Sequence, residues 1–241
     1  MEMLSIVFSI IGITIPILVI GVVVYIIVVM TRNKDGKAKF KLSAKTLLQI
    51  YLYVLSFLTL GIAVIGGSIA IKASLSYVFG TPFSYTLQKA NAYETFPEYE
   101  MVGKPVDFEK CYAGEPTQFY NQDFCFDSTQ RKTDLINGLT LLISMSLLYL
   151  LHQYALSKVE KDKLLPWLEK IYTFGSLILY SVVSIIAIPT AIYTLTNFLL
   201  FEAKDSMYST PDSPAMAIAI ALISIPLWIF FLKRTIQLKE D

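Results

Sequence analysis

Charged residues disappear from long stretches of this chain. None occurs in Leu4–Met30, Thr46–Ile71, Leu135–Leu151, Ile171–Phe201 or Ala215–Leu232. Each stretch approaches or exceeds the ~20 apolar residues that cross a ~30 Å hydrocarbon core as a helix. The shortest, Leu135–Leu151, can be extended through Tyr154 and Ala155. Lipid offers no partner to backbone N–H and C=O groups, so such stretches must be helical. Five of them leave too little polar surface to clothe the core of a large soluble protein. The pattern predicts an all-α, polytopic transmembrane bundle of five spans. Its segments are residues 1–45 (first helix and a basic loop), 46–74 (second helix), 75–133 (a small extracytoplasmic cap) and 134–241 (helices three to five).

Composition agrees: 55% of residues are hydrophobic and only 16% charged, against about a quarter charged in an ordinary soluble domain. The first stretch does not read as a signal peptide, because its leading residues MEM carry no positive charge and its apolar run is too long. Thirteen Lys and Arg fall in the loops after spans one, three and five, and seven are spread over the longer opposite segments. Basic loops stay in the cytoplasm, which predicts an outside N-terminus and a cytoplasmic C-terminus. Arg131 and Lys132, directly before span three, run against that trend. The expected location is a cell membrane, taken as a prokaryotic plasma membrane. A net charge of +1 gives no pull toward nucleic acid.

Spans two and three read as an earlier copy of spans four and five. Leu142-Ile143-Ser144 and Leu147 match Leu222-Ile223-Ser224 and Leu227 at one constant offset. Ile50-Tyr51, Ile65 and Ala70-Ile71 match Ile171-Tyr172, Ile186 and Ala191-Ile192 at another. Both copies would start on the same side, which makes a parallel repeat with an axis near the membrane normal. From Thr46 to Arg234, apart from the long loop, the chain resembles an integral membrane family called domain of unknown function 5671. The residues that carry the resemblance are Tyr51–Ile65, Trp167-Leu168 with Tyr172, and Ser224–Trp228. The resemblance implies a four-helix membrane unit and no particular reaction. This chain departs from it in its extra first helix and its large loop.

Intramembrane ionisable groups mark proton relays and ion paths, and no span has one, which weakens an ion-coupled transporter. Neutral solutes remain open to it. Small residues recur at helix-packing spacing: Ala63 with Gly67, Gly66 with Ala70, Ala215 with Ala219, and Ala217 with Ala221. They let backbones approach closely, within the monomer before between copies. Pro16, Pro189 and Pro226 are expected to kink their helices. The lone His152 cannot supply paired haem ligands, and no Cys/His/carboxylate cluster offers a zinc site. His152, Trp167 and Trp228 read as interfacial residues. No phosphate-cradling loop, nucleophile elbow or zinc-protease helix occurs. The sequence thus names no catalytic, cofactor or metal residue.

The loop from Leu75 to Thr133 is too long for a connector and rich in aromatics such as Tyr85, Tyr99 and Phe124, which a disordered linker lacks. It predicts a cap over the outer helix ends, with some rings at headgroup depth. Both cysteines fall in it, and an oxidising compartment would bridge Cys111 to Cys125. The reading that results is a non-enzymatic accessory or interaction subunit with a recognition cap. Its partners are the lipid bilayer and another membrane protein, met through the cap or the small-residue faces. The alternative is a small transporter or channel for a neutral substrate at the interface of the repeated hairpins, with a membrane-embedded enzyme third.

Overall fold

The computed structural model describes residues 44–86, 88–89, 115–119, 122–159, 166–200 and 212–240. The chain divides into two compact units, Met1–Leu47 and Leu48–Asp241, and the contacts below belong to the second. The first apolar stretch, with Pro16, lies outside the described residues, as does Cys111.

Four long helices form, α1 (Ala44–Phe79), α2 (Ser128–Ser157), α3 (Pro166–Leu199) and α4 (Ala215–Glu240). Among the described residues these four are long and apolar enough to cross a membrane, as expected for spans two to five. All four outrun the charge-free stretches at one end or both. Ser74 and Ser76 extend α1 because their hydroxyls donate to Ala70 O at 2.8 Å and Ala73 O at 2.6 Å, so their polarity is absorbed by the helix itself. The helix stops at Gly80, whose φ of 90° is reached by glycine without Cβ strain. A single helical turn, Thr81–Ser84, follows with Pro82 near its start. At the other side of the cap, Asp127 accepts a hydrogen bond from Thr129 N at 2.8 Å and so starts α2 ahead of its apolar run.

Gly80 allows a simple test. A Cβ there would meet nothing closer than Pro82 Cδ at 3.6 Å, so Gly80→Ala would pay for backbone conformation alone. Thermal unfolding in detergent should show a loss of about 1–2 kcal/mol, and an unchanged melting temperature would contradict the turn.

Pairs at both ends fix how the helices run. Tyr51 meets His152 at a ring separation of 6.1 Å and Lys72 meets Asp134 at 2.9 Å, so α1 and α2 are antiparallel. Glu169 pairs with Arg234 at 2.8 Å and Asn197 with Asp212 at 3.4 Å, which sets α3 and α4 antiparallel. Tyr53 lies 5.5 Å from Tyr172, and Phe83, just beyond α1, packs edge-on to Phe198 at 5.4 Å. Helices α1 and α3 therefore run parallel.

The main apolar core sits toward the start of α3, where Leu52, Tyr53, Leu156, Leu168, Tyr172, Tyr180 and Phe231 are buried together. Phe231 is fully buried, stacked on Tyr180 at 5.8 Å and edge-on to Tyr172 at 5.9 Å. Outward faces carry Ile171, Ile178, Ile185 and Ile192, all well exposed, as lipid contact requires.

The cap departs from the all-α expectation. Its described part holds three short antiparallel strands, β1 (Gln88–Lys89), β2 (Glu115–Phe119) and β3 (Gln122–Phe126), in the order β1-β3-β2. Strand β3 is central, with Gln88 opposite Cys125 on one side and Pro116 opposite Cys125 on the other. Pro116 stands on an edge strand, where a missing N–H is tolerated. Alternation along Phe124-Cys125-Phe126 buries both rings with Tyr85 in a second, smaller core.

Candidate functional site

Two groupings of polar side chains stand out, one at each level of the bundle. The first joins the helices to the sheet. Lys72 on α1 and Asp134 on α2 form an ion pair whose side chains are only 19% and 24% exposed. The Lys72 ammonium also lies 4.2 Å from the centre of the Tyr85 ring, and the Arg131 guanidinium lies 4.3 Å from that of Tyr77. Tyr85 in turn packs on Phe126 at 5.1 Å. A charge held between carboxylate and ring face is favourable where water is scarce. Burial foremost, and the Asp134 carboxylate after it, push the Tyr85 phenol above its ordinary range, so it stays protonated.

The second grouping lies where α3 packs on α1 and α4. The buried face of α3 presents Tyr172, Thr173, Ser176, Tyr180 and Ser184 in successive turns, while the buried face of α1 presents Gln49, Tyr53, Ser56 and Thr59. Its hydroxyls face inward and its isoleucines outward, the reverse of a water-soluble bundle. The Tyr149 and Tyr172 hydroxyl oxygens lie 3.5 Å apart, and Ser184 donates to Ser224 Oγ at 3.2 Å.

No family model, curated protein or solved structure matches this chain.

The small residues singled out by spacing fall as follows. Gly66 faces α2: a Cβ on it would lie 2.6 Å from Leu141 Cβ and 2.7 Å from Leu142 N. Gly67 faces α4, where a Cβ would meet Ile223 Cδ1 at 3.0 Å. Ala63, Ala70, Ala215, Ala217 and Ala219 are buried, and Ala221 is half-buried. Gly138, absent from the spacing argument, is the tightest of all, since a Cβ there would lie 2.5 Å from Ala70 N and 2.9 Å from Gly66 O. A small residue within an otherwise bulky span was its available signal. Pro189 and Pro226 sit inside uninterrupted helices. Cys125 lies half-buried on β3, and among the described residues no cysteine is free.

His152 Nδ1 donates to Leu148 O at 2.5 Å, one turn back on its own helix. Trp167, at the start of α3, and Trp228, midway along α4, are both exposed. Among the described residues, no group of three or more His, Cys, Asp or Glu could hold a metal ion.

Proposed function

We propose that this chain is a multi-pass membrane protein that acts by interaction, as an accessory subunit that recognises another membrane protein through its cap. The observation that carries this is the clamp at the sheet end. Lys72 and Asp134 join the two flanking helices, while Lys72 on the Tyr85 ring and Arg131, 6.0 Å from the Phe126 ring, tie them to the small core of the sheet, and β3 runs into α2 with only Asp127 between. A mere connector needs no such fastening, whereas a recognition surface must be held still to keep its ordering cost low. The cysteine pair Cys111–Cys125 would fasten it further; closing so short a loop is worth roughly 3 kcal/mol on a chain-entropy account.

The distribution of Lys and Arg supports placing the cap outside and the Glu169–Arg234 end in the cytoplasm. A fifth span at Leu4–Met30 and kinship with domain of unknown function 5671 complete the reading, on the residues quoted above. The repeat has support from register. Ser184 touches Ser224, and the offsets carry these to Ala63 and Ser144. Gly66 abuts Leu141, three residues along from each in opposite directions, which brings Ala63 level with Ser144.

Affinity purification from native membranes, in mild detergent and with quantitative mass spectrometry, tests the interaction reading. One partner at constant stoichiometry should accompany the full chain and disappear when residues 90–114 are replaced by a short Gly/Ser linker. A partner retained after that replacement, or none enriched with the intact chain, would remove the cap from the account.

A further inference from the structure

A hydroxyl inside a membrane helix normally bonds back to its own helix, and most here do. Thr59 donates to Leu55 O at 2.7 Å, Ser68 to Val64 O at 2.9 Å, Ser144 to Thr140 O at 2.6 Å and Thr190 to Ile186 O at 2.8 Å. Three do not. Ser56 Oγ, Thr173 Oγ1 and Ser176 Oγ are fully buried and have no hydrogen-bond partner. An orphaned buried hydroxyl costs about 1–3 kcal/mol on protein-based scales, so three together call for a reason.

They lie close together. Tyr53 and Tyr172 touch across the parallel α1–α3 seam. Ser56 is three residues beyond the first and Ser176 four beyond the second, one turn further along the same faces. Thr173 adjoins Tyr172. The orphaned groups thus lie within about one turn of one another, Thr173 about 10 Å and Ser176 about 15 Å along α3 from Pro166 at 1.5 Å per residue. Between them and the start of α3, Gln153 Nε2 on α2 and Thr235 Oγ1 on α4 are also buried without partners. Close to this end, Glu169 and Arg234 neutralise each other.

We propose that the seam of α3 with α1 and α4, centred on Ser56, Thr173 and Ser176, is the path of a small uncharged solute with several hydrogen-bonding groups, of the polyol or urea class. Orphaned hydroxyls from two parallel helices offer donors and acceptors to such a molecule. The nearby ionic groups, Glu169 and Arg234, are already paired with each other, which leaves none to hold a charged one. This stands independently of the cap's role.

The test uses the full chain in proteoliposomes, with glycerol and urea as separate probes and stopped-flow light scattering as the readout. Entry of at least one probe should be several-fold faster than into protein-free vesicles. The isosteric pair Thr173→Val with Ser176→Ala should return the rate to the protein-free level without lowering the melting temperature, because it removes orphaned polar groups. Thr173→Ser should retain the rate, as should Ser68→Ala, whose hydroxyl is self-satisfied. Wild-type rates equal to protein-free vesicles for both probes would overturn the proposal. So would a Thr173→Val, Ser176→Ala protein that conducts like wild type, or one that loses flux only because it no longer folds while Thr173→Ser also loses it.

Discussion

Gly138→Ala should loosen α2 from the rest of the bundle and lower stability by about 1–3 kcal/mol, the usual cost of forcing a methyl into a filled space. The added Cβ would stand 2.5 Å from Ala70 N and 2.9 Å from both Ala70 Cα and Gly66 O. These neighbours are backbone, which cannot swing aside as a side-chain tip can. Of α2 only Gly138 and Leu156 are buried, so the helix has little other packing to absorb a displacement. Gly66→Ala, against Leu141 Cβ and Leu142 N, should behave alike. Gly61 and Gly175 supply the control, because a Cβ on either meets nothing within 4 Å. Alanine there should be neutral, or stabilise by about 0.5–1 kcal/mol through the lower chain entropy of alanine. Thermal unfolding in detergent, followed by size-exclusion chromatography, separates the two classes. Equal effects at all four positions would mean that the α1–α2 crossing is not where it is described.

Breaking the clamp at the sheet end should have the second large effect. Lys72→Met leaves the Asp134 carboxylate short of water and partner, and removes the cation from the face of Tyr85. A loss of about 1–3 kcal/mol is expected, the range for stranding one member of a part-buried charged hydrogen bond. In a chain of this size each kcal/mol moves the melting temperature by about 2–4 °C. Asp134→Asn should cost less, since it keeps a hydrogen-bonding oxygen. The double change Lys72→Met with Asp134→Leu should recover part of the loss, because no charge is then stranded. Additive losses in the double variant would show that the two side chains do not interact.

The helices were legible where the chain carries no charge, because lipid permits only one answer for the backbone there. Their ends were not. A polarity count ends the second span near Ile71, yet Ser74 and Ser76 bond to their own helix and let it continue to Phe79. The strands were hidden because each is five residues or fewer, and the β1–β3 pairing joins segments far apart along the chain. Of the Gly66–Ala70 stripe, the sequence spoke for one helix only; its counterpart Gly138 follows Asn137 in a dipeptide that reads locally as a turn. The orphaned hydroxyls are the least readable feature. Ser56 and Ser68 look alike in sequence, and only the fold separates the one that bonds to its own turn from the one that does not.

The helices are also long. At 1.5 Å per residue, the 36 residues of α1 and the 34 of α3 extend about 54 and 51 Å, against a hydrocarbon slab of about 30 Å. The excess must be taken up by leaning, or by turns that stand clear of the acyl chains, at fractions of a kcal/mol per Å of mismatch. Because α1 and α3 run parallel with rings locked at both ends, neither can lean alone. The hairpins must therefore incline together, and a change in bilayer thickness would reach the sheet at their tips as a rotation of the whole assembly.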